Sequence, residues 1–335
     1  MKSFLKDTNT DNLRKEKTDC LRGIFAIFVL LHHLWQNTGL FENNVLLSVV
    51  FEAMGRLPVA GFFFLSGYGM MISYRRNGAE YAKKLFIRKA VPFYIVSLLF
   101  AVIVSFLTDA SIISKLKLIY NFGQVGYFWY LELQLLVYIL FWLVFGTKWP
   151  EKVKTTAFSF AILMLICVFD YLRLGFWWQC STVCVILGLL WASAKEEIES
   201  TIFAKKSCPL FLILTFMLFC AFMVAQIKFV WSSLFLTESV SAMLFVVFVI
   251  MLIRVTPIVN PVTKFLGKIS LEIYATQCIV ISFFHKNWLG APFQGVNIEN
   301  PWIYCIAVLA CTIGISAVIH PAVSKFMSLK IWRRQ

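Results

Sequence analysis

Arg22 and His33 stand eleven residues apart in a run, Leu21–Leu34, that is otherwise apolar except for Gly23 and His32. On a helix, eleven residues rise roughly 16 Å. Eleven steps of about 100° also return to within about 20° of the starting direction, so Arg22 and His33 share one helix face. His32 points roughly 80° away from Arg22. An ionisable side chain at membrane depth costs at least about 2–3 kcal/mol, which makes each one a functional candidate. This face presents a fixed cation at one mouth of the span and a titratable base halfway across. The pair suits a tunnel that an anionic carrier enters from the basic side to react at the middle. The plainer reading is an arginine that anchors the helix end and a histidine hydrogen-bonded to a neighbouring helix.

Other polar groups fall inside apolar runs: Glu132, Glu238 and Glu272, with Gln134 and Gln277 nearby. Each could orient His33, bind a hydroxylated acceptor, or be a protonated structural group. Asp170, His285 and His320 sit near the ends of apolar runs, where contact with headgroups or water is ordinary. The segment Gly61-Phe62-Phe63-Phe64-Leu65-Ser66-Gly67-Tyr68-Gly69 places small residues where backbones or a ligand can approach closely, and helix packing accounts for it almost as well. A basic stretch follows: Arg75, Arg76, Lys83, Lys84, Arg88 and Lys89, ending at Pro92. Six cations within 15 residues exceed what orientation requires and could clamp phosphates, arginine fitting bidentate contacts better than lysine. Lipid contact is the alternative.

The elements that must position these groups are membrane helices. Of 335 residues, 60% are hydrophobic and 14% charged, with a mean hydropathy of +0.79. A soluble domain keeps about a quarter of its residues charged. Runs of about 20 apolar residues fall at 22–40, 58–74, 90–108, 126–146, 156–174, 177–194, 208–226, 232–253, 268–285 and 302–323. The expected fold is all-α, a polytopic membrane protein of about ten helices. With the N-terminus inside, 25 of the 31 basic residues lie on the inner side, and Arg56, Lys115, Lys117, Arg173, Lys228 and Lys286 remain outside. That asymmetry predicts an even number of spans with both termini in the cytoplasm. The expected organisation is a cytoplasmic segment 1–21, a membrane domain 22–326 and a basic tail 327–335, with no cleavable leader. The net charge of +14 is then accounted for by anionic lipid rather than nucleic acid. The nine cysteines read as packing, including Cys180 and Cys184 one turn apart, and no metal set is expected.

Five short motifs resemble, in order, those of the membrane-bound acyltransferase family 3, bacterial O-acyltransferases of surface glycans. They are Asp19-x-Leu21-Arg22-Gly23-Ile24 with His33, similar to the family's Arg-x10-His; Phe62-Phe63-Phe64-Leu65-Ser66-Gly67-Tyr68; Arg88-Lys89-Ala90-Val91-Pro92; Trp129-Tyr130-Leu131 with Tyr138; and Gly267-Lys268-Ile269-Ser270 with Ile273-Tyr274. Two departures stand out. Gln277 occupies a place where many members have His. Gln134 occupies one where many have Glu, and Glu132 lies two positions earlier.

The resemblance implies acyl transfer from a cytoplasmic acyl-CoA, most often acetyl-CoA, to a hydroxyl outside the bacterial cytoplasmic membrane. The implied acceptor is a surface polysaccharide or its lipid-linked sugar precursor. On that basis His33 acts as general base or transient acyl carrier. Arg22, with Arg88, Lys89, Arg75 and Arg76, holds CoA phosphates, while Ser66, Trp129, Glu132 and Tyr138 line the acceptor side. The rival is a transporter or flippase for a glycan or small metabolite. Such folds also bury ionisable groups, but they tend to show inverted repeats, and none is visible here.

Overall fold

The computed structural model describes residues 13–107, 111, 113, 129–201, 208–228, 234–285 and 295–329, and every regular element among them is helical. In chain order these are α1 (Lys15–Thr38), α2 (Val45–Asn77), α3 (Ala79–Leu85), a π-helical turn (Phe86–Ala90), α4 (Val91–Leu107), α5 (Trp129–Phe145) and α6 (Glu151–Tyr171). They are followed by α7 (Trp177–Cys180), α8 (Val183–Ser193), α9 (Lys195–Thr201), α10 (Cys208–Lys228), α11 (Leu234–Val255), α12 (Pro261–Lys268), α13 (Ser270–His285) and α14 (Pro301–Met327).

All ten apolar runs fall on helices, and the chain is a multi-pass membrane protein. Among the described residues α1, α2, α6, α10, α11 and α14 are long and apolar enough to cross a membrane. Two bent pairs, α7–α8 with α9 (81°) and α12 with α13 (71°), raise the number to eight. The two remaining runs give α4 and α5, each 17 residues. At 1.5 Å per residue such a helix covers about 26 Å, short of the roughly 30 Å of hydrocarbon. Lys2, Lys6, Lys115, Lys117, Lys205, Lys206, Lys286, Lys330, Arg333 and Arg334, which entered the orientation argument, lie outside the described residues. So do 1–12 of the expected N-terminal segment, 330–335 of the tail, and the first residues of the expected spans 126–146 and 232–253.

Local sequence sets the helix ends. Gly39 closes α1 in the left-handed region at φ 62° and donates to the Trp35 carbonyl, the conformation a Cβ would oppose. Asn44 caps α2 by accepting from the Leu47 amide. Asn260 and Thr263 form a reciprocal capping box at α12, with Pro261 in the first turn.

The second helix departs most from the sequence expectation. It begins at Val45 rather than near 58 and carries Pro58 inside it. Glu52 and Arg56 interrupt the apolar pattern there, but Arg56 pairs with Glu238 of α11, so its charge is satisfied within the bundle. Arg56 is therefore an intrahelical residue, not part of an outer loop.

Two backbone crossings fix the bundle. Gly67 of α2 and Gly188 of α8 each sit against the other helix's backbone, so a Cβ on either would meet main-chain atoms. The Gly61–Gly69 stripe is thus largely a packing surface: Gly61 lies under Phe25 of α1, and Gly69 faces open space. At the other crossing Gly23 of α1 meets the backbone of Leu266 and Gly267 in α12. Small residues that bring backbones together are the usual way for helices to associate in lipid.

Candidate active site

Helix α1 is unbroken from Lys15 to Thr38, so the spacing between Arg22 and His33 holds, roughly 16 Å along one face. Arg22 donates to Asp19 at 2.9 Å and is 41% exposed, half open at its end of the helix. Its charge reaches Tyr130 and Tyr138 of α5 and, on the π-helical turn, the exposed Lys89, which also feels Lys15. Lys15, Arg22 and Lys89 therefore form a cationic group at one mouth. A π-helical turn adds a residue to the helix and re-aims its side chains, a feature frequent at functional sites. Here it carries Arg88 and Lys89.

His33 is buried, and its Nδ1 lies 2.9 Å from Gln36 Oε1. With the amide oxygen accepting, Nδ1 carries the proton and Nε2 keeps its lone pair. That tautomer is the one a base or nucleophile requires. Gln36 itself is exposed, two residues before the C-terminal end of α1. His32 is held differently: its Nδ1 donates to the Phe51 carbonyl at 2.8 Å, and its ring lies flat over Gly55 of α2. The two imidazole centroids are 5.0 Å apart.

Between α2, α5 and α13 lies a buried polar and aromatic layer. Ser66 donates to Gln134 Oε1 at 2.9 Å. The rings of Tyr130 and Tyr274 are 5.2 Å apart, and that of Tyr138 packs edge to face on Phe93 of α4 at 6.0 Å. Gln134 Nε2 is buried without a hydrogen-bond partner among the described residues, as are both amide atoms of Gln277. Buried amides without partners are uncommon in folded proteins and mark places where a ligand or water belongs.

The other expected site residues separate. Glu132 is half-buried and makes no hydrogen bond or ion pair to a described residue. Gln134, two positions on, is the one joined to Ser66. Trp129 packs edge to face on Tyr130 and against Trp178. Arg75 spends its guanidinium on Glu151 (3.1 and 2.7 Å) and the Ala192 carbonyl (3.0 Å), stapling α2 to α6 and α8. Arg76 is exposed one residue further on, at the end of α2. Glu272 accepts from His320 of α14 at 2.8 Å.

Sequence reasoning passed over Gln36, Lys15 and the Ser66–Gln134 bond. Gln36 carried a signal, since i and i+3 are neighbours on a helix. The Ser66–Gln134 bond carried none.

With this geometry described, one comparison decides the family: residues 16–320 match the model of an acyltransferase domain. The chain belongs to acyltransferase family 3. It is a membrane acyltransferase, as the five motifs implied, and the transporter reading has no further support. Among curated proteins and solved structures, none matches the chain.

Proposed function

We propose that this acyltransferase is an O-acetyltransferase of the bacterial cytoplasmic membrane, with ten spans and both termini inside. It takes the acyl group from cytoplasmic acetyl-CoA and delivers it to a hydroxyl of a surface polysaccharide or its lipid-linked precursor. The observation that carries this reading is the single helix α1, with a cation at one mouth and, roughly 16 Å along the same face, a buried histidine whose Nδ1 is already engaged.

Arg22, Lys89 and Arg88 hold the CoA phosphates. The length of the pantetheine arm then brings the thioester toward His33. As a base, His33 takes the acceptor hydroxyl proton while the oxygen attacks the thioester carbonyl. The C–S bond breaks as the C–O bond forms, and the proton passes to the leaving thiolate. As a carrier, His33 Nε2 attacks the thioester carbonyl and expels the CoA thiolate to leave an acyl-imidazolium; the acceptor oxygen then takes the acyl group as the C–N bond breaks, and the hydroxyl proton passes to the thiolate. The layer of Ser66, Gln134 and Tyr138 supplies hydroxyl and amide groups beside this path, with Trp129 and Glu132 at its edge.

The test is acetyl-CoA turnover by the purified protein in lipid nanodiscs, comparing wild type with His33→Ala and His32→Ala. Loss with the first and substantial retention with the second is the expected result. A wild-type protein that neither binds nor turns over any short acyl-CoA would rule the proposal out.

A further inference from the structure

Helix α12 has eight residues, too few to be stable alone in water, yet it is built firmly in place. A capping box starts it, and Gly267 near its end sits on the backbone of Asp19 and Cys20 in the first turns of α1. Its axis bends 71° from that of α13. With α13 crossing the bilayer, α12 turns toward the membrane plane, at the end of the bundle that carries Arg22.

At about 100° per residue, Thr263, Leu266 and Gly267 occupy one arc of α12. All three are half-buried, and Leu266 packs on the core. The opposite arc is exposed and graded. Lys264 and Lys268 form one flank, Pro261 the middle, and Phe265 and Val262 the other flank. Phe265 is 42% and Val262 65% exposed, and Val255 at the end of α11 adds another exposed apolar side chain. Lysines on one flank and apolar groups on the other are the pattern of a helix lying in a membrane interface. The apolar flank enters the acyl boundary while the ammonium groups stay among headgroups.

Charge selects the headgroup. The acidic residues in the facing turns of α1 are Glu16 and Asp19. Glu16 pairs with Lys264 and Arg14, and Asp19 with Arg22. Lys268 is exposed one turn beyond Lys264, so the outer flank of α12 is basic. A multi-pass chain always has the bilayer beside it, which favours lipid over a soluble protein as the occupant of this face. We propose that α12 is an interfacial helix that docks on acidic phospholipid headgroups through Lys264 and Lys268, with Phe265 and Val262 inserted beside them. The fifth motif then has a physical role, Gly267 seating α12 on α1 and Lys268 meeting the lipid.

The test is amide hydrogen exchange over residues 264–269 of the full chain in nanodiscs of phosphatidylcholine, alone or mixed equally with phosphatidylglycerol. The Lys264 amide bonds to the Asn260 carbonyl and the Ile269 amide to that of Phe265, so slower exchange reports a helix held more firmly. Phosphatidylglycerol should slow exchange by about fivefold for each lysine engaged. Lys268→Gln should lose about fivefold of that slowing, whereas Lys152→Gln, an exposed charge at the start of α6, should lose none. Phe265→Ser should speed exchange in both lipids by about three- to tenfold, the worth of burying half a side chain. Exchange that ignores phosphatidylglycerol overturns the proposal. So does an equal loss in Lys152→Gln, which would assign the effect to net charge. Exchange that responds neither to the lipid nor to Phe265→Ser would leave this face to a protein partner and overturn it as well. The readout needs no acyl donor and is therefore independent of the acetyltransferase reading.

Discussion

Gly23→Ala probes whether the crossing of α1 and α12 positions Arg22. A Cβ at residue 23 would lie 2.5 Å from the Gly267 nitrogen and 2.7 Å from the Leu266 carbonyl carbon, against an ordinary contact of 3.4 Å or more. Both atoms are backbone, so no side chain can swing aside, and the helices must separate by about 1 Å. Overpacking of this kind costs about 1–3 kcal/mol, and alanine in a helix interior returns about 1 kcal/mol over glycine. The net loss of stability is therefore small. A 1 Å displacement of a positioning group can cost about 10²-fold in rate, equivalent to about 2.7 kcal/mol. Activity should thus fall further than stability. The assay pairs kcat/KM for acetyl-CoA with thermal unfolding of the same nanodisc sample. Gly69→Ala serves as control, because nothing lies within 4 Å of its Cβ position. Wild-type kcat/KM in Gly23→Ala with an unchanged Tm would refute the idea that this contact sets Arg22. An equal fall in the control would assign the loss to glycine removal in general.

Three further outcomes follow from the same geometry. Gln36→Leu removes the acceptor at His33 Nδ1 and should lower kcat by about tenfold, the worth of one such hydrogen bond, with KM for acetyl-CoA unchanged; an effect confined to KM would contradict the tautomer argument. Arg75→Ala should lower stability by about 1 kcal/mol, since the pair it forms with Glu151 is partly exposed, and should leave KM for acyl-CoA near wild type; a large rise in KM would return Arg75 to the donor site. At Glu80, on α3, the hydrogen bond and charge of Lys84 hold the carboxyl below its usual 4.5, with Lys83 and Arg88 adding to the effect. A depressed folded value contributes stability above about pH 4.5 that is lost as pH falls through the folded pKa. Glu80→Gln should therefore flatten the acid limb of a Tm-against-pH curve, and an unchanged limb would show that the pair adds nothing.

The sequence made the Arg22–His33 relation legible because it is local: one uninterrupted helix converts eleven positions into a rise and an angle, and no tertiary information is needed. The ten apolar runs were legible for the same reason, since hydropathy reports burial in lipid without naming neighbours. What crossed between helices was not. Arg56 looked like a loop residue because its charge is neutralised 182 positions away in the chain, by Glu238. Arg75 looked like one member of a phosphate clamp, yet its fork is filled by Glu151 and the Ala192 carbonyl. Glu132 drew attention as a carboxylate in an apolar run, while the neutral Gln134 beside it is the group joined to Ser66. Charge in a sequence marks a cost that must be met somewhere, and only the fold says where. When a local partner meets it, as at Arg75, the residue holds the bundle together. When a buried polar atom has no hydrogen-bond partner among the described residues, as at Gln134 Nε2, Gln277 and Trp35 Nε1, it marks a place where water or a ligand belongs. Those three lie on α1, α5 and α13, but Tyr81 of α3, Ser239 of α11 and Thr312 of α14 also carry buried polar atoms without a partner among the described residues. The motifs therefore mark the layer between α2, α5 and α13 through what they bring together, such as the Ser66–Gln134 bond, and unpartnered atoms alone do not trace a substrate path.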